Sequence, residues 1–164
     1  MRHFAFLFLF VCLLPACTTQ YYLVRHAEKQ DNSSNALLSA AGLARANILR
    51  DSLLNKGIDI VFASTFSRTQ QTAQPLATAM GLPLNLYRPD TTAGLIAKLK
   101  NMSGRNVLVV GHSNNIPEIV QALSGESVSI AENDFDNLFI VKVTKGWGQT
   151  KKSLVKTTYG PASP

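Results

Sequence analysis

The sequence predicts an α/β fold with a mostly parallel central sheet, and two observations carry that prediction. Short β-branched or aromatic runs alternate with stretches of helical periodicity, and the chain closes on two strand-like runs around a Gly-Trp-Gly turn. Alternation of strand and helix implies parallel strands joined by right-handed crossovers, hence a layered α/β/α sandwich. The closing pair reads as a hairpin at the edge of the sheet.

The elements follow in order. "YYLVRH" (21–26), "IDIVFAS" (58–64) and "NVLVVGHS" (106–113) are compact apolar runs of the kind that strands buried on both faces require. Residues 39–55 form the first helix, with Leu43, Ala46, Ile48, Leu49, Leu53 and Leu54 in one broad apolar stripe, Ser39 as N-cap and Gly57 just past the end. A second helix covers 67–81, bent at Pro75 and ended by Gly81. The third covers 91–104. A fourth covers 116–125, where Pro117 falls in the tolerant first turn. The hairpin spans 137–160, and Lys142, Lys145, Lys151, Lys152 and Lys156 along it suit an edge that must not pair with another sheet. Glu132, Asp134 and Asp136 before it read as a solvated turn.

The first residues have a different character. Arg2 precedes an unbroken apolar run from Phe4 to Leu14, too short to span a bilayer. The run leads into "LLPAC", which resembles the lipobox of bacterial lipoproteins. That resemblance implies a signal peptide over 1–16, one domain over 17–164, and a lipidated Cys17 that tethers the protein to the cell envelope. Thr18 in place of an aspartate points to the periplasmic face of the outer membrane. Cys12 would leave with the signal, so the folded domain has no pair of cysteines for a disulfide or a thiolate metal site.

The formal net charge is +6. In an envelope protein this favours anionic substrates or lipid head groups over nucleic acid. A monomer without cofactor or metal is expected.

In sheets of this kind ligands bind beyond the carboxyl ends of the strands, and the unusual residues fall there. Arg25 and His26 end the first run, Ser64 to Arg68 follow the second, and Gly111, His112 and Ser113 end the third. Two guanidiniums provide donor forks matched to phosphate oxygens. A neutral imidazole can attack phosphorus, and a protonated His112 would add a third cation. Two histidines without cysteines make an incomplete metal shell.

"LVRHAEK", "LSAAGLARA", "STFSRTQQTA" and "VLVVGHSN", in this order, resemble the histidine phosphatase superfamily, with its phosphoglycerate mutase-like fold. The resemblance implies His26 as nucleophile and Arg25, Arg68 and His112 as the phosphoryl pocket, with Ala27 standing where Gly is common. It also implies metal-independent hydrolysis of a phosphomonoester or phosphoramidate through a phosphohistidine. A general acid in this family commonly follows the third strand, where "LYRPDTTAG" offers Asp90; the same residue could instead cap the third helix. Glu28 and Glu118 are weaker candidates for the acid, and Asn32 is a candidate neutral donor to the phosphate. Two other readings stay open: a phosphohistidine-protein phosphatase, since small members without an acid resemble those enzymes, and a non-catalytic phosphate-binding lipoprotein on the same scaffold.

Overall fold

The computed structural model describes residues 17–146 and 148–163. The expected signal peptide and the Trp147 turn residue lie outside the described residues. Nine-residue β1 (Cys17–Arg25) is followed by α1 (Ala40–Leu53), β2 (Ile60–Ser64), α2 (Ser67–Ala79), β3 (Leu84–Tyr87), α3 (Thr92–Lys100), β4 (Asn106–Gly111), α4 (Asn115–Ser124), β5 (Asn137–Gly146) and β6 (Gln149–Thr158). The strands form one sheet in the order β3-β2-β4-β1-β5-β6. β3, β2, β4 and β1 are parallel; β5 runs antiparallel to β1 and β6 to β5.

Strand alternation divides the core. Tyr21, Leu23, Val107 and Val109 face α3 and α4, where Leu95, Leu99, Ile116 and Ile119 meet them. Tyr22, Val24, Leu108 and Val110 face the other way, onto Leu49 and Leu53 of α1 and Leu76 of α2. β1 and β4 are therefore apolar at successive positions, because each buries both of its faces.

Ser39 caps α1, its Oγ accepting from the Gly42 N–H at 3.1 Å. The helix ends at Leu53, and a single 3₁₀ turn, Leu54–Lys56, leads to Gly57. Its inward stripe is narrower than the apolar pattern suggests. Gly42, Arg45, Ala46, Leu49 and Leu53 are buried, whereas Leu43 and Leu54 are 48% and 42% exposed. Arg45 takes inward space that an apolar residue would otherwise fill, because Glu28 pairs with it at 2.7 Å and the Tyr159 and Pro161 carbonyls accept from its other nitrogen. Gly42 has no alternative at its position: a Cβ there would stand 2.3 Å from the Glu28 carbonyl oxygen. α1 thus packs directly on the loop that leaves β1 and steadies the residues after His26.

The hairpin sits at the edge as expected, but only β6, with Lys151, Lys152 and Lys156, is the outer strand. Lys142 and Lys145 project from β5, which is paired on both sides.

Candidate active site

A cleft of about 440 Å³ opens at the carboxyl ends of β1, β2 and β4, and Arg25, His26, Arg68 and His112 all line it. β1 delivers the first two. Beyond Arg25 the chain leaves the sheet, yet the His26 N–H still donates to the Gly111 carbonyl at 2.9 Å, extending the β1–β4 register by one residue. The following Ala27 N–H donates to Thr72 Oγ1 at 3.0 Å, which ties this turn to α2. The His26 ring is 3% exposed and its centroid lies 5.4 Å from that of His112.

One hydrogen bond sets the tautomer of His26. Nδ1 lies 2.8 Å from the Ala27 carbonyl oxygen, and a carbonyl can only accept. Nδ1 therefore carries the proton and Nε2 keeps its lone pair. Burial, and then the nearby charges of Arg25 and Arg68, pull the His26 pKa down to about 3 despite the opposing Ala27 contact. The ring is neutral at neutral pH.

His112 is placed by a second set of contacts. Its backbone N–H donates to Asn115 Oδ1 at 2.8 Å, and Asn115 Nδ2 donates to the Tyr87 hydroxyl. This works only because residue 111 is glycine; a Cβ there would lie 2.6 Å from Asn115 Oδ1 and 2.7 Å from the Tyr87 oxygen. The ring Nε2 lies 2.8 Å from Ser64 Oγ, itself 2.8 Å from Thr69 Oγ1. Thr69 has one hydroxyl hydrogen and two carbonyls within reach, Phe66 at 2.7 Å and Ser64 at 3.0 Å. That hydrogen goes to a carbonyl, so Ser64 donates to Thr69 and accepts from His112 Nε2–H. Burial and the two arginines lower the His112 pKa to about 4, so the ring is neutral near pH 7 and is not the third cation expected from the sequence.

The two arginines are held differently. Arg25 is 5% exposed, stacks on Phe135 at 4.4 Å, and donates from Nη1 to the carbonyls of Ala131, Glu132 and Asp134. The acidic segment read as a solvated turn is therefore a backbone clamp for Arg25. Arg68 stacks on Phe66 at 4.4 Å and donates from Nη1 to the Ser34 carbonyl at 3.0 Å. In both residues Nε is buried and has no hydrogen-bond partner among the described residues. Unmet buried donors on permanent cations suit an oxyanion.

Other expected residues lie elsewhere or are differently occupied. Asn32 does not line the cleft; it accepts from Lys29 Nζ at 3.3 Å, and Lys29 is the residue that reaches the cleft wall. Asn32 is an exposed loop residue too far along the turn to face the clamp. Asp90 does line the cleft, but it is exposed and bound by Arg88 at 2.7 and 3.2 Å, which holds its carboxyl below the usual range. Nor does it cap α3, whose N-cap is Thr91 without a side-chain bond. Glu28 is committed to Arg45, and Glu118 is exposed on α4. Among the described residues no group of three His, Cys, Asp or Glu side chains is placed to hold a metal ion. Thr69, Thr72, Asn115 and Lys29 escaped the sequence reading as site residues, and Ser64 stands in it at the strand end without a role.

Comparison with known proteins joins this geometry to a family. Residues 21–88 match the sequence profile of the histidine phosphatase superfamily (branch 1), which takes in His26 and Arg68. Over that stretch, 68 of its 164 residues, the chain is similar to the histidine phosphatase superfamily. It is also 36% identical over 72 residues to the protein named "Probable phosphoglycerate mutase GpmB" of Yersinia pestis; the match covers 40% of this chain and 34% of that one. The matched stretch thus spans about a third of the length of the curated relatives. Among solved structures, the protein histidine phosphatase SixA complexed with tungstate aligns with a TM-score of 0.61 at 21% identity, covering 85% of this chain and 96% of that one. Mycobacterial hydrolase 2 aligns at 0.70 and 14% identity, covering 90% and 93%. At such identities the likeness speaks for the fold alone, a central sheet with helices on both faces.

The two neutral histidines give a pH prediction. An unfolded histidine titrates near 6.5, well above the folded values of about 3 and about 4. Below about pH 6.5 the unfolded chain binds more protons, so the stability these rings contribute is full above that pH and is lost as pH falls toward 3 to 4. Thermal midpoints measured from pH 7 to pH 4 are expected to fall, and a variant with His26 and His112 both replaced by Ala is expected to fall less steeply. Equal slopes would show that the rings are not held neutral.

Proposed function

We propose that the chain is a phosphatase that hydrolyses a phosphomonoester or phosphoramidate through a covalent phosphohistidine on His26. The observation that carries this reading is the free Nε2 lone pair of His26 beside two guanidiniums whose buried Nε donors have no partner among the described residues. In the first step Nε2 forms a bond to phosphorus as the bond to the leaving group breaks, and the leaving group takes its proton from solvent water as it departs. In the second, water displaces Nε2 and orthophosphate is released. The guanidiniums meet the phosphoryl charge that bound metals balance in metallophosphatases.

The state of Asp90 favours substrates with good leaving groups. A carboxyl held below its usual range by Arg88 is poorly matched to donate a proton near neutrality. A phosphoramidate such as phosphohistidine needs less of that help than an alkyl phosphate. Asp90→Asn is therefore expected to change turnover of phosphohistidine or an aryl phosphate by less than about threefold. The check is a comparison of kcat for alkyl, aryl and phosphohistidine substrates in wild type and variant. A loss of about 100-fold confined to alkyl phosphates would make Asp90 the general acid.

We also propose that the protein is anchored in the cell envelope through lipid on Cys17, on the periplasmic face of the outer membrane. The "LLPAC" stretch supports this, and Cys17 is exposed and free. No helix among the described residues is long and apolar enough to cross a membrane. Cys17→Ser is expected to abolish labelling by a fatty-acid analogue, since the thiol is the acceptor; equal label in both chains would overturn the anchor.

A further inference from the structure

The end of the molecule opposite the cleft gathers cations around the start of β1. We propose that this end lies against an anionic lipid surface and turns the cleft away from it. The proposal deepens the anchoring reading, on which it rests for its cellular context, and its test separates the two.

β1 joins both ends of the molecule. From Cys17 to Arg25 the strand covers eight residue steps, or about 26 Å at strand rise. At the Cys17 end, register places Cys17 opposite Lys145, and Lys151 and Lys152 lie opposite Thr144 and Val143 on the next strand. The other parallel strands begin at this end and the helices finish there, which brings Lys56, Lys100 and Arg105 to the same side. All six cations are exposed. The acids there are few: Asp59 pairs with Arg105 at 3.8 Å, Asp51 pairs with Arg50, and Glu126 follows α4. Most other carboxylates lie toward the cleft end, in the segments 28–31, 90 and 132–136.

The surface also has an amphipathic depression. Lys100, Lys145 and Lys152 border a hollow of about 270 Å³ whose floor includes Tyr21, Leu123 and Val143. The carbonyls of Lys100 and Met102 accept from Lys145 Nζ at 3.0 and 3.3 Å and hold this ammonium at the rim. A cationic rim over an apolar floor matches the order of groups in a lipid, phosphate first and carbon beneath. Protection of the sheet edge accounts for lysines on β6. It does not account for Lys56, Lys100 and Arg105, which lie on helix ends and loops.

Each lysine or arginine near an anionic leaflet strengthens association by about fivefold, and salt weakens it. The functional consequence is directional. A cleft facing away from the bilayer meets soluble or protein-borne phosphate and cannot reach phosphate in the membrane that holds it.

The test is lysine footprinting of the full chain with an amine-acylating reagent, read by mass spectrometry, with phosphatidylglycerol or phosphatidylcholine vesicles. The expected result is several-fold protection of Lys100, Lys145, Lys151 and Lys152 by phosphatidylglycerol alone, reversed at about 0.5 M salt, with Lys29 and Lys156 labelled as in the free protein. Changing those four lysines together to Gln should lower partition onto phosphatidylglycerol by roughly 100-fold or more, with near-UV circular dichroism unchanged. Protection of Lys29 instead, no protection at all, or equal protection by inorganic phosphate without vesicles would each overturn the proposal. Acyl labelling of the unchanged chain beside Cys17→Ser distinguishes the two readings: the footprint with no label on the unchanged chain, or equal label in both, refutes the anchor and keeps the surface, whereas label that Cys17→Ser abolishes, without the footprint, keeps the anchor and refutes the surface.

Discussion

Replacing His26 by alanine is expected to remove turnover, by on the order of 10⁶-fold as for loss of a covalent nucleophile elsewhere, while the domain stays folded. The reasons lie in its contacts. The bond that fixes His26 in the sheet comes from its backbone N–H to Gly111, which alanine keeps. The side chain's one hydrogen bond goes to its neighbour's carbonyl, so the stability cost is about 1 kcal/mol. Phosphate and vanadate should still bind, because Arg25 and Arg68 are untouched. The measurements are kcat, product inhibition by phosphate, and the thermal midpoint. Substantial remaining activity, together with its loss in His112→Ala, would mean that the two histidines exchange roles.

Arg68→Ala is expected to lower kcat/KM by about 10³-fold and to weaken phosphate inhibition in parallel, since the same donors serve ground and transition states. Among the described residues the Arg68 side chain has one hydrogen bond, to the Ser34 carbonyl, so its loss should move the thermal midpoint little. Arg68→Lys should restore only part of the activity, because a point charge cannot reproduce a planar fork stacked on Phe66. Arg25 provides the contrast. Its three carbonyl acceptors hold the 131–134 loop, so Arg25→Ala should lower both stability and phosphate affinity. Full phosphate affinity in Arg68→Ala would remove this residue from the clamp.

Much of this architecture can be read from residues whose local pattern and final environment agree. β1 and β4 are continuous apolar runs because each is buried on both faces. Ser39 caps α1, and the hairpin forms around its glycines, for reasons contained within a few residues. The convergence of Arg25, His26, Arg68 and His112 follows from their places at the ends of adjacent parallel strands. What stays illegible depends on partners distant in the chain or on groups without side-chain identity. Arg45 joins the buried stripe only because Glu28 and the Tyr159 and Pro161 carbonyls come to it. The clamp on Arg25 uses main-chain oxygens of residues 131–134, which composition describes merely as acidic. Ser64 and Thr69 look like ordinary strand-end and helix-start residues until the sheet brings His112 beside them. Lys29 and Asn32 differ by three positions in one loop, and only the path of that loop decides which one reaches the cleft.

Trapping the intermediate tests the central claim most directly. Enzyme turning over a ³²P-labelled substrate, quenched within milliseconds in base and digested, should give one labelled peptide carrying phosphate on His26, stable in base and lost in acid, as a phosphoramidate requires. The label should be absent from His26→Ala. Active enzyme whose label is acid-stable, sits on another residue, or never appears although turnover is rapid would contradict a phosphohistidine mechanism on His26.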